Sequence, residues 1–394
     1  PGLYKAGFRG PIFCTRATAD VADIMLRDSA HIQAEDAKYL AKHRDKGAPP
    51  IMPLYEEEHV RKVVKQFEPL DYHEWHDLSP AFRLRFSDAG HILGSAITEM
   101  QIEDKGEMRR VVFTGDLGRR NLPVLRDPET VNGCDVLISE STYGNRLHPP
   151  AENLKQELLR IITKTANNGG KIVIPAFSLG RTQNIIYFLN ELAETGQLPN
   201  IPVYIDSPLS HRLTAVFRAN QDIMDAHAQR MLHIDDDLFG FPMLSWIRSV
   251  QESAELNRLP GPFVVISASG MCENGRIRHH LKHSLSDDKN TIVLIGFQAQ
   301  HTLGRKLLEG QSPVKIFDRL IPVNATIEVL NGLSAHADAE DFKWWFEAMA
   351  SEGGIGQAFL VHGEPPAAEA LATLIRDCCD EDPIIPQFRE SFEV

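Results

Sequence analysis

Five polar residues stand just past short apolar runs. His91 follows "FSDAG", Asp116 closes "VVFTGD", Glu140 closes "DVLISE", His336 lies in "LSAHAD" after "ATIEVLNG", and His362 closes "QAFLVHG". Strand ends are where a layered sheet protein gathers its active-site loops. Singly, each residue has an ordinary reading as a turn former, a helix cap or a satisfied buried histidine. Together, two or three imidazoles with a carboxylate suit Zn²⁺, and a carboxylate shared by two ions holds them about 3.5–4 Å apart for hydrolysis. Gly90, Gly94, Gly115, Gly118 and Gly363 flank the set, and glycine permits the positive φ or close backbone approach that a crowded site requires, although an ordinary turn explains any one of them equally well.

The elements that must position these residues change texture along the chain. From about residue 82 to 139, the runs "FRLRF", "AITEMQI", "RRVVFT" and "DVLIS" alternate with turns and read as sheet. From Glu152 the spacing becomes helical, with Leu154, Leu158, Ile161 and Ile162 on one face, before Gly169 and Gly170 and the apolar strand "KIVIPA". The unit repeats, with a helix over 181–194 before "PVYI" and another after Pro208. Helices alternating with "KIVIPA", "FVVIS" and "TIVLIG" predict a parallel sheet covered on both faces. After Leu320 short elements return: "ATIEVL", a helix near 338–349, "QAFLV", and a last helix over 366–376. A domain split by an α/β insertion accounts for this order, and so do three small domains in a row.

Composition narrows the function classes. The 394 residues are 43% hydrophobic and 24% charged, and no apolar run reaches the roughly 18 residues that span a bilayer. Five cysteines without metal-knuckle spacing predict reduced thiols and a cytoplasmic protein. The formal charge of −13 argues against polyanion binding over the whole surface, so a nucleic-acid substrate needs a focused basic site. "GRIRHHLKH" offers one, with Arg276, Arg278, His279, His280, Lys282 and His283 on the first turns of a helix, although a solvated helix face explains Lys282 and His283 equally well. Trp344 and Trp345 are expected in the core rather than stacked on bases.

In their order, "SDAGHILGS", "VVFTGDLG", "SESTYGNR", "IPAFSLGRTQ", "SASGMCENGRIRHHL", "GFQAQHTLGR", "LSAHAD" and "LVHGE" resemble the β-CASP branch of the metallo-β-lactamase superfamily. That branch comprises RNA- and DNA-processing nucleases, and the chain is most similar to its small bacterial ribonucleases. The resemblance implies an α/β fold, in which an αββα metallo-β-lactamase domain, here N-terminally incomplete, is interrupted by an α/β β-CASP domain with a mainly parallel sheet. The divisions it implies are 1–143 and 333–394 for the first domain and 144–332 for the second.

The resemblance also implies roles. His91, Asp116 and His362 are metal ligands, with Asp116 bridging two Zn²⁺ ions. Asp116, Glu140 and His336 carry catalysis, His336 protonating the leaving group while Glu140 orients it. Arg181, Ser267, Ser269, Arg276 and Arg305 face the nucleic acid. The implied activity is zinc-dependent hydrolysis of phosphodiesters in single-stranded RNA, endonucleolytic, 5′-to-3′ exonucleolytic or both. A catalytically silent RNA-binding scaffold and a small-molecule metallo-hydrolase are the alternatives. Exo against endo mode and the oligomer stay open, a homodimer being one option.

One motif of the branch, HxHxDH, does not occur in the sequence and would lie immediately before "PGLYKAGFRGPIF". The expectation is an N-terminally truncated piece, the alternative being a degenerate member with half a metal site. With three ligands the polypeptide as written is expected to hold zinc poorly and to be inactive.

Overall fold

The alternating runs between residues 76 and 140 pair into one sheet, and a strand from near the C-terminus completes it. The computed structural model describes residues 1–43, 51–150 and 153–393. The strand order is Ile355–Val361, Cys134–Glu140, Glu107–Phe113, Ala96–Asp104, Phe82–Asp88, His76–Ser79. Phe82–Asp88 and Glu107–Phe113 both run antiparallel to Ala96–Asp104, while Glu107–Phe113, Cys134–Glu140 and Ile355–Val361 are mutually parallel neighbours. Four strands therefore point the same way, and their C-terminal ends share one edge. The segments after that edge carry His91, Asp116, Glu140 and His362.

The second sheet is wholly parallel, in the order Leu244–Trp246, Val203–Ile205, Phe263–Ser267, Lys171–Pro175, Thr291–Ile295, Thr326–Leu330. Its strands are continuous apolar runs because helices cover both faces; Phe263–Ser267 and Thr291–Ile295 are buried at every residue. The helix that begins the insertion spans Leu154–Asn167, and Glu152, where the helical spacing starts in sequence, lies outside the described residues. Helices Arg181–Glu194 and Pro208–Ala219 follow in the expected places. Because Ile355–Val361 pairs with Cys134–Glu140, the first sheet is assembled across the insertion, and the arrangement of three small domains in a row is excluded.

Helix Ala339–Ser351 buries Phe342, Trp345, Phe346 and Met349 against Leu137, Leu360 and Leu371. Each such side chain contributes about 1.5–3 kcal/mol by leaving water. Trp345 is in this core and donates its indole N–H to the Glu129 carbonyl at 2.8 Å. Trp344, one residue earlier in the helix, is partly buried: it packs against the edge of the same core and carries the Arg120 guanidinium 4.6 Å from its ring centroid.

The 28-residue helix Arg16–His43 was not anticipated by the motifs. It contains no Gly or Pro, and the Thr15 hydroxyl accepts from the Thr18 backbone N–H at its start. Ala17, Val21 and Ala30 form its buried side, and an Arg212–Asp28 ion pair of 2.7 Å fastens it to helix Pro208–Ala219 of the parallel-sheet domain.

Candidate metal centre and substrate cleft

The turn holding His91 is locked by its own polar atoms. Asp88 accepts from the Gly90 N–H at 2.8 Å, and Ser95 Oγ accepts from the N–H groups of His91 at 3.1 Å and Ile92 at 3.3 Å. Gly90 has φ +64°, and a Cβ there would lie 2.6 Å from Pro128 N. The loop carrying Asp116 is pressed against this turn: Gly118 N donates to the Ala89 carbonyl at 2.6 Å, and a Cβ on Gly118 would sit 2.2 Å from the Gly90 carbonyl. These two glycines set the separation of His91 from Asp116.

His336 arrives from the other side. After strand Thr326–Leu330 the chain runs alongside the Asp116 loop, with Arg119 N donating to Ala335 O and Ala337 N to Leu117 O, both at 2.8 Å. Asp338 then caps helix Ala339–Ser351, accepting from Glu340 N and Asp341 N, while its other oxygen accepts from His148 N at 2.7 Å. His336 is thus held between a short backbone pairing and a helix cap.

The five strand-end residues converge. Asp116 divides its carboxylate, with Oδ2 3.6 Å from His91 Nε2 and Oδ1 3.3 Å from His362 Nδ1. His336 Nδ1 meets both Glu140 oxygens, at 3.0 and 3.1 Å. Glu140 is buried, and it also accepts from the backbone N–H of Leu117 at 2.7 Å and of Thr142 at 3.3 Å. Among the described residues, the sets close enough to share an ion are His91–Asp116–His336 and Glu140–His336–His362.

The donor set fits a divalent metal. Burial, followed by the charges of His336 and Arg181, lowers the pKa of His91 well below the ordinary value, so its imidazole is neutral, the state a ligand requires. His91 turns its Nε2 to Asp116, and that one carboxylate lies between two imidazoles, as a bridging ligand would. Burial also lowers the pKa of His336, but the hydrogen bond and charge of Glu140 outweigh it and the net direction is upward.

A cleft of about 1180 Å³ opens from His91 and His336 between the two sheets' domains. Arg181 lines it although buried to 6% exposure; its guanidinium donates to Asn184 Oδ1 at 2.8 Å and has no carboxylate partner among the described residues. Burial drops its pKa to about 10. Ser269 lines the cleft too, its hydroxyl accepting from the N–H groups of Glu273 and Asn274. Arg276 lines it while donating to Asp206 Oδ1 at 2.7 Å and to the Arg248 carbonyl at 3.2 Å.

Two expected substrate contacts are placed elsewhere. Ser267 is buried and donates to the Asp206 carbonyl at 2.9 Å, so it braces the wall from behind. Arg305 pairs with Glu309 on its own helix at 2.6 Å, outside the cleft lining. The segment carrying Arg305 instead supports the "SASG" loop, since Gly304 N donates to Met271 O and Gln298 Nε2 to Gly270 O.

The basic helix divides as well. His280 and Arg276 turn inward to Asp206, whereas Arg278 and Lys282 lie outward over the Phe317 ring. Sequence reasoning passed over Asp206, a fully buried carboxylate receiving Arg276, His280 and the Ser253 hydroxyl, and Arg119, which donates to the carbonyls of Gly332 and Pro149 where the two domains meet. "DSPLS", with an N-cap serine and a proline opening a helix beside an acid, was the available signal for Asp206.

Comparison with known proteins gives the same outline. Residues 182–307 match the family model described as the Beta-Casp domain, and residues 320–386 match the Zn-dependent metallo-hydrolase RNA specificity domain. The chain is 35% identical over 375 residues to a ribonuclease of Thermus thermophilus, covering 95% of this chain and 80% of that one. It is 31% identical over 356 residues to an RNase J-like protein of Methanocaldococcus jannaschii, covering 90% and 76%. It is 30% identical over 404 residues to the transcription termination factor FttA of the same organism, and there the whole of this chain spans 61% of the relative's length.

Proposed function

The chain belongs to the β-CASP branch of the metallo-β-lactamase superfamily, and from that membership we propose that it is a metal-dependent ribonuclease cleaving phosphodiester bonds of single-stranded RNA. The observation that carries the reading is Asp116 divided between His91 and His362 at the end of a cleft that also holds the unpaired Arg181. A cleft of this extent, walled by two domains, suits a long strand rather than a small molecule.

His91, Asp116 and His362 are the residues here that would hold the metal, and two Zn²⁺ ions are the proposed complement of a site that also has the HxHxDH ligands. Bound there, the metal supplies Lewis acidity, which acidifies a water and offsets phosphate charge. Glu140 fixes His336 through Nδ1 and favours its protonated form, so the proton available for the leaving 3′ oxygen is the one on Nε2. Arg181 places a full positive charge in the cleft and attracts the phosphate.

No helix among the described residues is long and apolar enough to cross a membrane. The five cysteines are unpaired, which supports a reducing compartment such as the cytoplasm. A homodimer is proposed from the likeness to bacterial members.

Metal analysis combined with cleavage of 5′- and 3′-labelled single-stranded RNA tests the reading. On protein that also carries the HxHxDH ligands, metal-dependent cleavage is expected, with the label distribution giving the endo or exo mode; with the three ligands alone, metal content and rate should both be low. Tight RNA binding by metal-loaded protein without any cleavage would instead establish the scaffold.

A further inference from the structure

The chain crosses between the two sheets' domains twice, and both crossings pass one buried guanidinium. The outgoing crossing follows strand Cys134–Glu140 and leads to helix Leu154–Asn167, and the returning one follows strand Thr326–Leu330 and leads to helix Ala339–Ser351. They run side by side, with Ala339 N donating to the Arg146 carbonyl at 3.1 Å and His148 N to the Asp338 carboxylate at 2.7 Å. Arg119, 6% exposed and on the loop that carries Asp116, donates through Nη2 to the Pro149 carbonyl on the outgoing crossing and through Nη1 to the Gly332 carbonyl on the returning one. Gly332 is pressed onto the start of the insertion, since a Cβ there would lie 2.4 Å from Leu154 Cδ2.

Both bonds end on segments that hold His336. Gly332 opens the stretch whose Ala335 carbonyl and Ala337 N–H pair with the Asp116 loop. Pro149 adjoins His148, whose Nε2 donates to the His336 carbonyl at 3.3 Å. The Tyr143 ring packs against both imidazoles, its centroid 4.7 Å from that of His148 and 6.2 Å from that of His336. No carboxylate pairs with Arg119 among the described residues, and burial lowers its pKa. An unpaired buried cation costs stability, so packing alone would favour an apolar side chain of similar length. What such a side chain lacks is the planar fork that fixes two carbonyls of different segments at one spacing. Arg119 does not belong to the cleft lining, so it acts on a bound strand only through its neighbours.

We propose that Arg119 is a positioning residue for RNA cleavage: by clamping both crossings against the Asp116 loop, it holds His336 opposite Asp116, where the proton for the leaving oxygen is needed. The inference rests on the ribonuclease reading and adds to it a residue that touches neither metal nor strand. Its effect falls on the step that uses the His336 proton. Asp116 keeps ties of its own, since Leu117 N donates to Glu140 at 2.7 Å and Gly118 N to the Ala89 carbonyl at 2.6 Å, whereas the His336 stretch depends on the clamp.

The test joins kinetics to hydrogen exchange in Arg119→Met and Arg119→Lys. In protein that also carries the HxHxDH ligands, cleavage of single-stranded RNA is compared with hydrolysis of bis(p-nitrophenyl) phosphate, whose nitrophenolate leaves without a proton. Arg119→Met should lower kcat on RNA by about 10²-fold, the loss that a misplacement of about 1 Å produces, and lower kcat on the nitrophenyl diester far less. Affinity for labelled single-stranded RNA, read by fluorescence anisotropy, should hold. Arg119→Lys keeps the charge without the fork and should stay impaired. In the chain as it stands, hydrogen exchange across residues 331–338 should quicken in both variants, while strand Phe263–Ser267 stays protected and shows that the fold is kept. Equal loss on both substrates, a full RNA rate in Arg119→Lys, or unaltered exchange across 331–338 overturns the role of Arg119 and leaves the ribonuclease reading intact. A wild type that hydrolyses the nitrophenyl diester but not RNA overturns the ribonuclease reading, and the role in RNA cleavage with it.

Discussion

His336 Nδ1 lies within hydrogen-bond reach of both carboxylate oxygens of Glu140, at 3.0 and 3.1 Å, so the ring is held by one edge and its Nε2 edge is left for chemistry. His336 also belongs to both sets of residues close enough to share an ion, so proton donor and metal ligand are the competing roles. In protein that also carries the HxHxDH ligands, replacing His336 by Ala is expected to lower the cleavage rate by about 10²–10⁴-fold, the usual span for a general acid, with bound metal retained. Elemental analysis of the purified variant decides: loss of metal assigns His336 as a ligand. Glu140→Gln keeps an acceptor for the Leu117 N–H but removes the charge that raises the pKa of His336, so the alkaline limb of the rate profile, where the donor loses its proton, should move to lower pH.

Asp116 carries the opposite expectation. Its two oxygens face two different imidazoles, so Asp116→Ala removes the one group placed to bridge them. In protein that also carries the HxHxDH ligands, cleavage should vanish and bound metal should fall, both measured on the same preparation. Since Asp116 is about two-fifths exposed and holds no core contact of its own, the thermal midpoint of the metal-free protein should change little. Metal content equal to wild type would remove Asp116 from the ligand set.

Four of the five residues were legible in sequence because they close or shortly follow strands, and strands running in the same direction bring their ends to one edge; His336 follows a strand of the other sheet and reaches them through the pairing of its loop with the Asp116 loop. Assembly of the first sheet from both ends of the sequence was not decided by periodicity, because a pairing between Cys134–Glu140 and Ile355–Val361 leaves no local mark. The cleft contacts were less legible for a related reason. Ser267 and Ser269 are two residues apart at the end of a strand, and only the bend after Ser267 determines that one hydroxyl braces Asp206 while the other faces the cleft. Arg305 illustrates the same limit, since an arginine in a motif can serve its own helix. Arg305→Ala should accordingly change RNA affinity by less than about twofold, as for an ordinary surface substitution, whereas Arg276→Ala should weaken it clearly in the same anisotropy assay.

Arg181 sets function against stability. A guanidinium buried in the cleft wall without a carboxylate loses hydration that Asn184 restores only in part, and the fall of its pKa to about 10 reflects that burial. Arg181→Met keeps most of the side-chain volume and removes the buried charge. The thermal midpoint should hold or rise, while affinity for single-stranded RNA falls by about tenfold or more, the loss expected for a charge-assisted phosphate contact. A variant both less stable and undiminished in RNA binding would show that the arginine serves packing.

Asp206 gives the stability prediction that depends on pH. Burial alone raises its carboxyl, but hydrogen bonds from His280 at 2.6 Å, Ser253 at 2.5 Å and Arg276 at 2.7 Å outweigh burial, and the net pKa is below the ordinary value. A carboxyl depressed in the folded state binds fewer protons there than in the unfolded chain, so its contribution is present in full above the unfolded value of about 3.9. That contribution is lost as the pH falls through the folded value beneath it. Asp206→Asn leaves Arg276 and His280 facing a neutral amide and should destabilise the protein by about 3–5 kcal/mol at pH 7, the range for breaking a buried ion pair. Urea unfolding at a series of pH values should show the gap between wild type and variant constant from about pH 5 to 7 and closing below about pH 4. A gap that widens towards acid would mean that the carboxyl is held up by burial rather than down by its partners. In that case Arg276 would owe its place in the cleft to the Arg248 carbonyl instead of to Asp206.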